Sequence, residues 1–368
     1  MDTAFPFGFD WPTGTYLTLY VGTWAVHFVF MNYVLAGTGY LAVASIAGGP
    51  QWSEDAIARV LRDWMPFALG LTITAGVAPL LFVQVLYQQA FYTANLLLFH
   101  RWMSILPVLI VAFYLMYALK ARQVASWRRG MQSAVAVVAF VCVGFTGYSW
   151  AENHSLSLDR ALWPAFYEAQ PLLYQNAALV PRFLTVVFTA MAILSLLVLW
   201  QLRFYERRTP PGQDPLTIHA QHVHKLALLA LVGLFGALVA ALWYWAWAHP
   251  LKQSAMTAPL TFPYLIAGGV GVALQMVWWV VLRLRGTPAP GVMAAVTVAL
   301  GLNVVGLAVV RESIRIHAMD MNALALRHAE AAAVGGFFAF AFFLVLNAVL
   351  IWWSLRQVRV GTKTDLAN

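Results

Sequence analysis

The sequence predicts an all-α integral membrane protein of about nine transmembrane helices, with the N-terminus outside and the C-terminus inside. Three observations carry that expectation. Hydrophobic residues make up 62% of the 368 and charged residues only 10%, so the chain lacks the polar surface that a soluble globule of this length needs. With a mean hydropathy of +0.73, the apolar residues gather into runs of roughly 20 or more, the length that crosses a hydrocarbon core. The Lys and Arg residues fall in the gaps between those runs, with a bias towards alternate gaps.

In chain order, the spacing predicts spans near 15–48, 64–92, 95–120, 133–152, 178–203, 221–247, 260–284, 289–311 and 332–356. With the N-terminus outside, 15 of the 22 basic residues lie in inner segments, among them Arg59, Arg62, Lys120, Arg128, Arg129, Arg203, Lys225, Arg283 and Arg285. The other seven, Arg101, Arg160, Arg182, Lys252, Arg311, Arg315 and Arg327, face outward. That split follows the positive-inside rule without moving any helix. The opening MDTAFPFGFDWP has no basic stretch before the first apolar run, so no cleavable signal peptide is expected. No linker, low-complexity stretch or repeat interrupts the chain, so residues 1–368 read as one polytopic domain, with outer cap segments near 153–177 and 312–331.

Composition also limits the chemistry. The one cysteine, Cys142, lies inside an apolar run, which excludes an internal disulfide, a Cys-ligated zinc or iron–sulfur centre and a CxxCH haem attachment. Any haem here would be held non-covalently. The net charge of +8 is explained by loop topology, and no basic, aromatic-interleaved domain points to nucleic acid. There is no phosphate-binding loop, nucleophile elbow or HExxH motif.

The outer side is where ionisable residues collect. His27 stands well inside the first span, and His100 opens the third. Glu152, Asn153, His154 and Asp159 close the fourth, while Glu312, Arg315 and His317 close the eighth in the stretch VVRESIRIHAMD. Charged groups at membrane depth cost free energy unless paired or coordinated, so such a cluster marks a functional site by default. Imidazole and carboxylate ligate iron or relay protons, and Arg binds carboxylates. Glu312 and Arg315 are three apart and share a helix face. They serve either as a simple interfacial pair or as part of a cofactor site, and His27 has a cofactor or a proton role. His219, His222 and His224 beside Lys225 form an inner-side cluster that reads as a surface or subunit contact rather than a metal site. The aromatic run WYWAWAHP at 243–250 reads as an interfacial belt.

Three stretches together resemble subunit I of the cytochrome bd oxidases. VHFVFMNYVLAGTGYLAVAS is similar to that family's first helix, with its His followed by Phe. GLTITAGVAPLLFVQVLYQQAF matches the second in length and layout, including Gly76-Val77-Ala78, with Gln84 where the family carries Glu. Glu312-x-x-Arg315 reproduces the Glu-x-x-Arg that ends the eighth helix, without the Gln-Pro-Trp that should follow. Nine helices, N-out and C-in, is also the family's topology.

The resemblance implies that His27 is an axial ligand of one active-site haem and Glu312 of its neighbour, with Arg315 stabilising a propionate or the Glu312 carboxylate. His100 would relay protons or serve as a further ligand, and His317 would flank the cofactor. The implied cofactor is haem b in one or two copies, one of them alternatively haem d. The departures matter equally. Where the family's fifth helix supplies a low-spin haem ligand, this chain has Pro181-Arg182-Phe183-Leu184-Thr185; the partner Met is missing near Phe262–Gly269, and HPLKQSAMTAP is too short for a quinol-binding loop.

The implied function is a membrane-integral b-type haem oxidoreductase subunit of a respiratory complex, terminal-oxidase-like, in a bacterial inner membrane. Its partners would be other membrane subunits, the lipid bilayer and a periplasmic or membrane-anchored cytochrome c as electron donor. Two other classes stay open: a haem-free quinol-binding anchor subunit, and a transporter using the outer charges.

Overall fold

A computed structural model describes residues 7–49, 52–121, 127–208 and 219–334, with scattered positions between 338 and 356. Among the described residues every regular element is helical. Eight helices are long and apolar enough to cross a membrane: α1 (Trp11–Ala47), α2 (Ala56–Leu86), α4 (Phe99–Lys120), α5 (Arg129–Leu158), α7 (Leu179–Arg208), α8 (Ala220–Trp247), α10 (Phe262–Arg285) and α11 (Pro290–His317). Four shorter helices connect or follow them: α3 (Gln88–Leu97), α6 (Trp163–Ala169), α9 (Pro250–Thr257) and α12 (Met321–Ala333). The chain has the fold of an all-α, multi-pass membrane protein. About half of the ninth expected span, 332–356, falls outside the described residues.

The chain divides into two compact units, residues 1–18 with 320–368, and residues 19–319. In the first, Thr13 Oγ1 lies 2.9 Å from His328 Nδ1, and Tyr16 meets the same ring edge-on. Asp320 caps α12 by accepting from the Ala323 amide. The second unit is the helix bundle.

Local chemistry sets the helix limits. Asp55 caps α2 by accepting from the amides of Ile57 and Ala58 at 3.0 and 3.2 Å, which satisfies donors that a helix start leaves orphaned. For that reason α2 starts before the charged Arg59, Arg62 and Asp63, well ahead of the apolar run. Arg129 donates to the carbonyls of Ser45 and Ile46, so the last turn of α1 is closed from α5. Gly286, at φ +63, ends α10 in the left-handed conformation that glycine adopts without strain.

Helices α7 and α8, α10 and α11, and α4 and α5 pack as neighbours. The α10–α11 approach depends on small residues: a Cβ at Gly306 would lie 2.6 Å from the Tyr264 carbonyl oxygen and 2.8 Å from Gly268 Cα. In lipid, where helices gain nothing from excluding water, close backbone contact is a main source of association. Gly268 is thus a packing position. At one end of the bundle α2, α5 and α11 finish and α7 begins, and the ionisable residues gather there.

Candidate functional site

His27 is half-buried on α1 and faces α2. Its Nδ1 lies 3.0 Å from the Thr72 carbonyl oxygen. A carbonyl can only accept, so Nδ1 carries the proton and Nε2 keeps its lone pair. This is the tautomer of a metal-ligating imidazole oriented by a backbone carbonyl. Gly76, one turn after Thr72, makes room for the ring: a Cβ there would be 2.9 Å from His27 Cε1 and 3.0 Å from Nδ1.

Tyr20, Trp24 and His27 follow one another at helical spacing and share a face of α1. Over the outer two lies the end of α11, which runs through His317 rather than stopping at the charges. Glu312 is fully buried. Tyr87 donates its hydroxyl to Glu312 Oε1. The other oxygen, Oε2, lies 3.6 Å from Arg315 Nη1 and 3.7 Å from Arg311 Nη1, attracted by both charges but receiving a hydrogen bond from neither. The two guanidinium groups instead donate to one acceptor, the Tyr20 hydroxyl, at 3.0 Å from Arg311 and 2.8 Å from Arg315. Arg311 also stacks over Trp24 and Arg315 over Tyr87, each with its guanidinium carbon 4.7 Å from the ring centroid. Such cation–π contacts gain strength when desolvated.

Two cations thus surround one carboxylate that has an unfilled oxygen. Tyr87 stands at the break between α2 and α3, where its φ of −134° interrupts the helix. Burial first, and the Glu312 charge second, push its phenol upward from the ordinary value, so it stays a neutral donor. Arg311 lies over Trp24, one turn before His27 on α1, so His27 lies about one helical turn from the Glu312–Arg315 group.

The end of α5 adds a second polar group. Glu152 is buried, with Oε2 2.6 Å from Arg101 Nε and Oε1 accepting from the Tyr174 amide at 2.7 Å. Asn153 donates to Asn95 at 2.6 Å. His154 Nδ1 accepts from Arg182 Nη2 at 2.9 Å, and Arg182 Nη1 donates to Ser155 Oγ at 3.0 Å. Tyr174 donates to Asp159 Oδ2 at 3.0 Å; burial, then the Asp159 charge, raise its pKa.

Two candidates from the sequence stand apart. His100 is exposed at the start of α4, where its ring meets Phe99 edge-on and its carbonyl accepts from Ser104. His317 is exposed and its Nδ1 lies 2.8 Å from the Ser313 carbonyl oxygen, on its own helix. On the opposite end, His222 accepts from the His219 amide in the first turn of α8, and Lys225 pairs with Asp55 at 3.3 Å; these residues act as caps and ties between helices. Among the described residues no three His, Cys, Asp or Glu side chains converge as a metal-binding group. Tyr20, Tyr87 and Trp24 were not legible as site residues, because tyrosine and tryptophan in a membrane chain are ordinary at interfaces.

No family model, curated protein or solved structure matches this chain.

Proposed function

We propose that this chain is a membrane-integral, b-type haem oxidoreductase subunit resembling cytochrome bd oxidase subunit I, with nine helices, the N-terminus outside, in a bacterial inner membrane. The carrying observation is His27: its Nδ1 proton is fixed on Thr72 while Nε2 is left with a lone pair. The donor set fits the group. A neutral imidazole and a carboxylate with one unfilled, buried oxygen are both iron ligands, and paired arginines suit propionates.

In this reading His27 holds one haem through Nε2 and Glu312 its neighbour through Oε2. Haem supplies the one-electron chemistry and the binding of a small oxidant when present. The chain supplies the rest. Thr72 and Gly76 set the imidazole plane, Tyr87 keeps a proton on its hydroxyl against Glu312 Oε1, and Arg311 and Arg315 balance the buried negative charge. Electrons arrive from a periplasmic cytochrome c or a partner subunit. The run from Trp247 to Phe262 holds only the eight-residue α9 and short turns, which favours such a donor over a quinol.

The orienting role of Gly76 provides a mild test. Alanine favours a helix over glycine by about 1 kcal/mol, so Gly76→Ala should insert and fold, while its methyl group displaces the His27 ring. The expected result is a shifted or weakened haem absorption band in a protein of normal yield. An unchanged band would separate His27 from the haem.

The donor is tested on the intact complex. Reduced cytochrome c should be oxidised in a chain-dependent reaction, with a short-chain quinol at least about tenfold slower, the loss expected when a contact of about 1.4 kcal/mol is missing. Fast, inhibitor-sensitive reduction by the quinol would contradict the assignment of the donor.

A further inference from the structure

We infer that His154, Arg182 and Lys252 form an oxyanion-binding site, taking a carboxylate or phosphate-like group, at the end of the bundle where α5 finishes and α7 starts. Two independent observations carry it.

The first is an orphaned donor. Arg182 can only donate, so its 2.9 Å contact makes His154 Nδ1 the acceptor and leaves the ring proton on Nε2. His154 is 6% exposed, and that Nε2–H has no hydrogen-bond partner. This is the opposite tautomer from His27: the ring offers a proton, not a lone pair, so it suits an anion and not a metal. A buried donor left unpaired costs free energy, which a ligand oxygen would recover.

The second is uncompensated charge. Among the described residues, Arg182 meets only neutral partners, His154 and Ser155. It lies in the first turn of α7, and Lys252 in the first turn of α9, where the helix dipole already places partial positive charge and disfavours a cation. Burial first, and repulsion from Arg182 second, lower the Lys252 pKa, with Asp159 offsetting part of this. Of the nearby carboxylates, Glu312 is shared by Arg311 and Arg315 and Glu152 is held by Arg101, while Asp159, bonded by the neutral Tyr174 hydroxyl, offsets only part of the positive charge. An oxygen of the anion accepting from Nε2–H would satisfy the orphaned donor, with the positive charges of Arg182 and Lys252 favouring an anion there.

Such oxygens have two sources: a free anion, or the propionate of a bound haem, the latter resting on the function proposed above. The purified full chain in detergent separates them. Inorganic phosphate at millimolar concentration is titrated while thermal unfolding is followed, and haem affinity is measured by transfer to apomyoglobin. Both are repeated on Arg182→Gln and His154→Leu, with Lys252→Gln as a half-exposed variant that leaves the fold intact.

With a free anion as ligand, phosphate raises the unfolding temperature of the wild type, and each variant weakens its binding by about tenfold or more, the effect of one charge-assisted hydrogen bond. With a propionate as ligand, phosphate is without effect and the variants lose haem about tenfold or more faster. The site is overturned if phosphate leaves the wild type unchanged and haem transfer is equal in all four proteins, or if phosphate raises the unfolding temperature of the variants as much as that of the wild type.

Discussion

His27→Ala is expected to abolish the binding of one haem while the protein still inserts and accumulates. The imidazole is half-buried between α1 and α2, and among the described residues its one hydrogen bond runs from Nδ1 to Thr72. Removing it leaves a helix better suited to alanine than to histidine and a Thr72 carbonyl still bonded within α2. The fold therefore loses little, whereas a ligand has no substitute at that position. Even the loss of a partner that merely orients a ligand costs roughly 10–100-fold in metal affinity, so loss of the ligand itself should empty the site. Pyridine haemochrome content per protein and the reduced-minus-oxidised spectrum check this. Haem content equal to the wild type would remove His27 from the site.

Glu312 and Arg315 should behave asymmetrically. Arg315→Ala removes the better-buried of two cations around a carboxylate that is itself fully buried, and breaking a buried pair in this way costs about 3–5 kcal/mol. Arg311 remains 3.7 Å away, so the lower end of that range is expected. The stranded carboxylate would tend to protonate, and a protonated Glu312 is a poor iron ligand. Glu312→Ala removes the negative charge but leaves Arg311 and Arg315 bonded to Tyr20 and stacked on Trp24 and Tyr87. Both variants should lose the same haem band, with Glu312→Ala having the higher unfolding temperature. Normal haem content in Glu312→Ala would return these residues to a structural ion-pair role.

The membrane class and most spans could be read directly, because hydrophobicity and run length act locally and lipid enforces them. The boundaries were less legible for physical reasons. The run at 64–92 contains no glycine or proline near its end, yet the helix breaks at Tyr87, whose hydroxyl is drawn to a carboxylate 225 positions away. The eighth span was expected to stop at Arg311. It continues to His317 because Arg311, Glu312 and Arg315 satisfy one another and Tyr20, so the charges do not force the helix into water.

Within the site, Glu312-x-x-Arg315 was visible from its spacing, and His27 from its depth in an apolar run. Arg182 drew notice only for the ligand it replaced. Its contact with His154 joins α5 to α7, and no local pattern encodes such a pairing. The exposed positions of His100 and His317 were equally hidden, since a residue at a helix end turns inward or outward by a rotation of the helix that the sequence does not record.

The account rests on haem, and the most direct measurement is the visible spectrum of the purified full chain, oxidised and dithionite-reduced, with a pyridine haemochrome to identify the porphyrin. The account predicts a Soret band with α and β bands that sharpen on reduction, a b-type haemochrome, and loss of intensity in His27→Ala. A featureless spectrum from a folded protein expressed with ample haem would contradict it and leave the ionisable cluster to a haem-free anchor or a transporter.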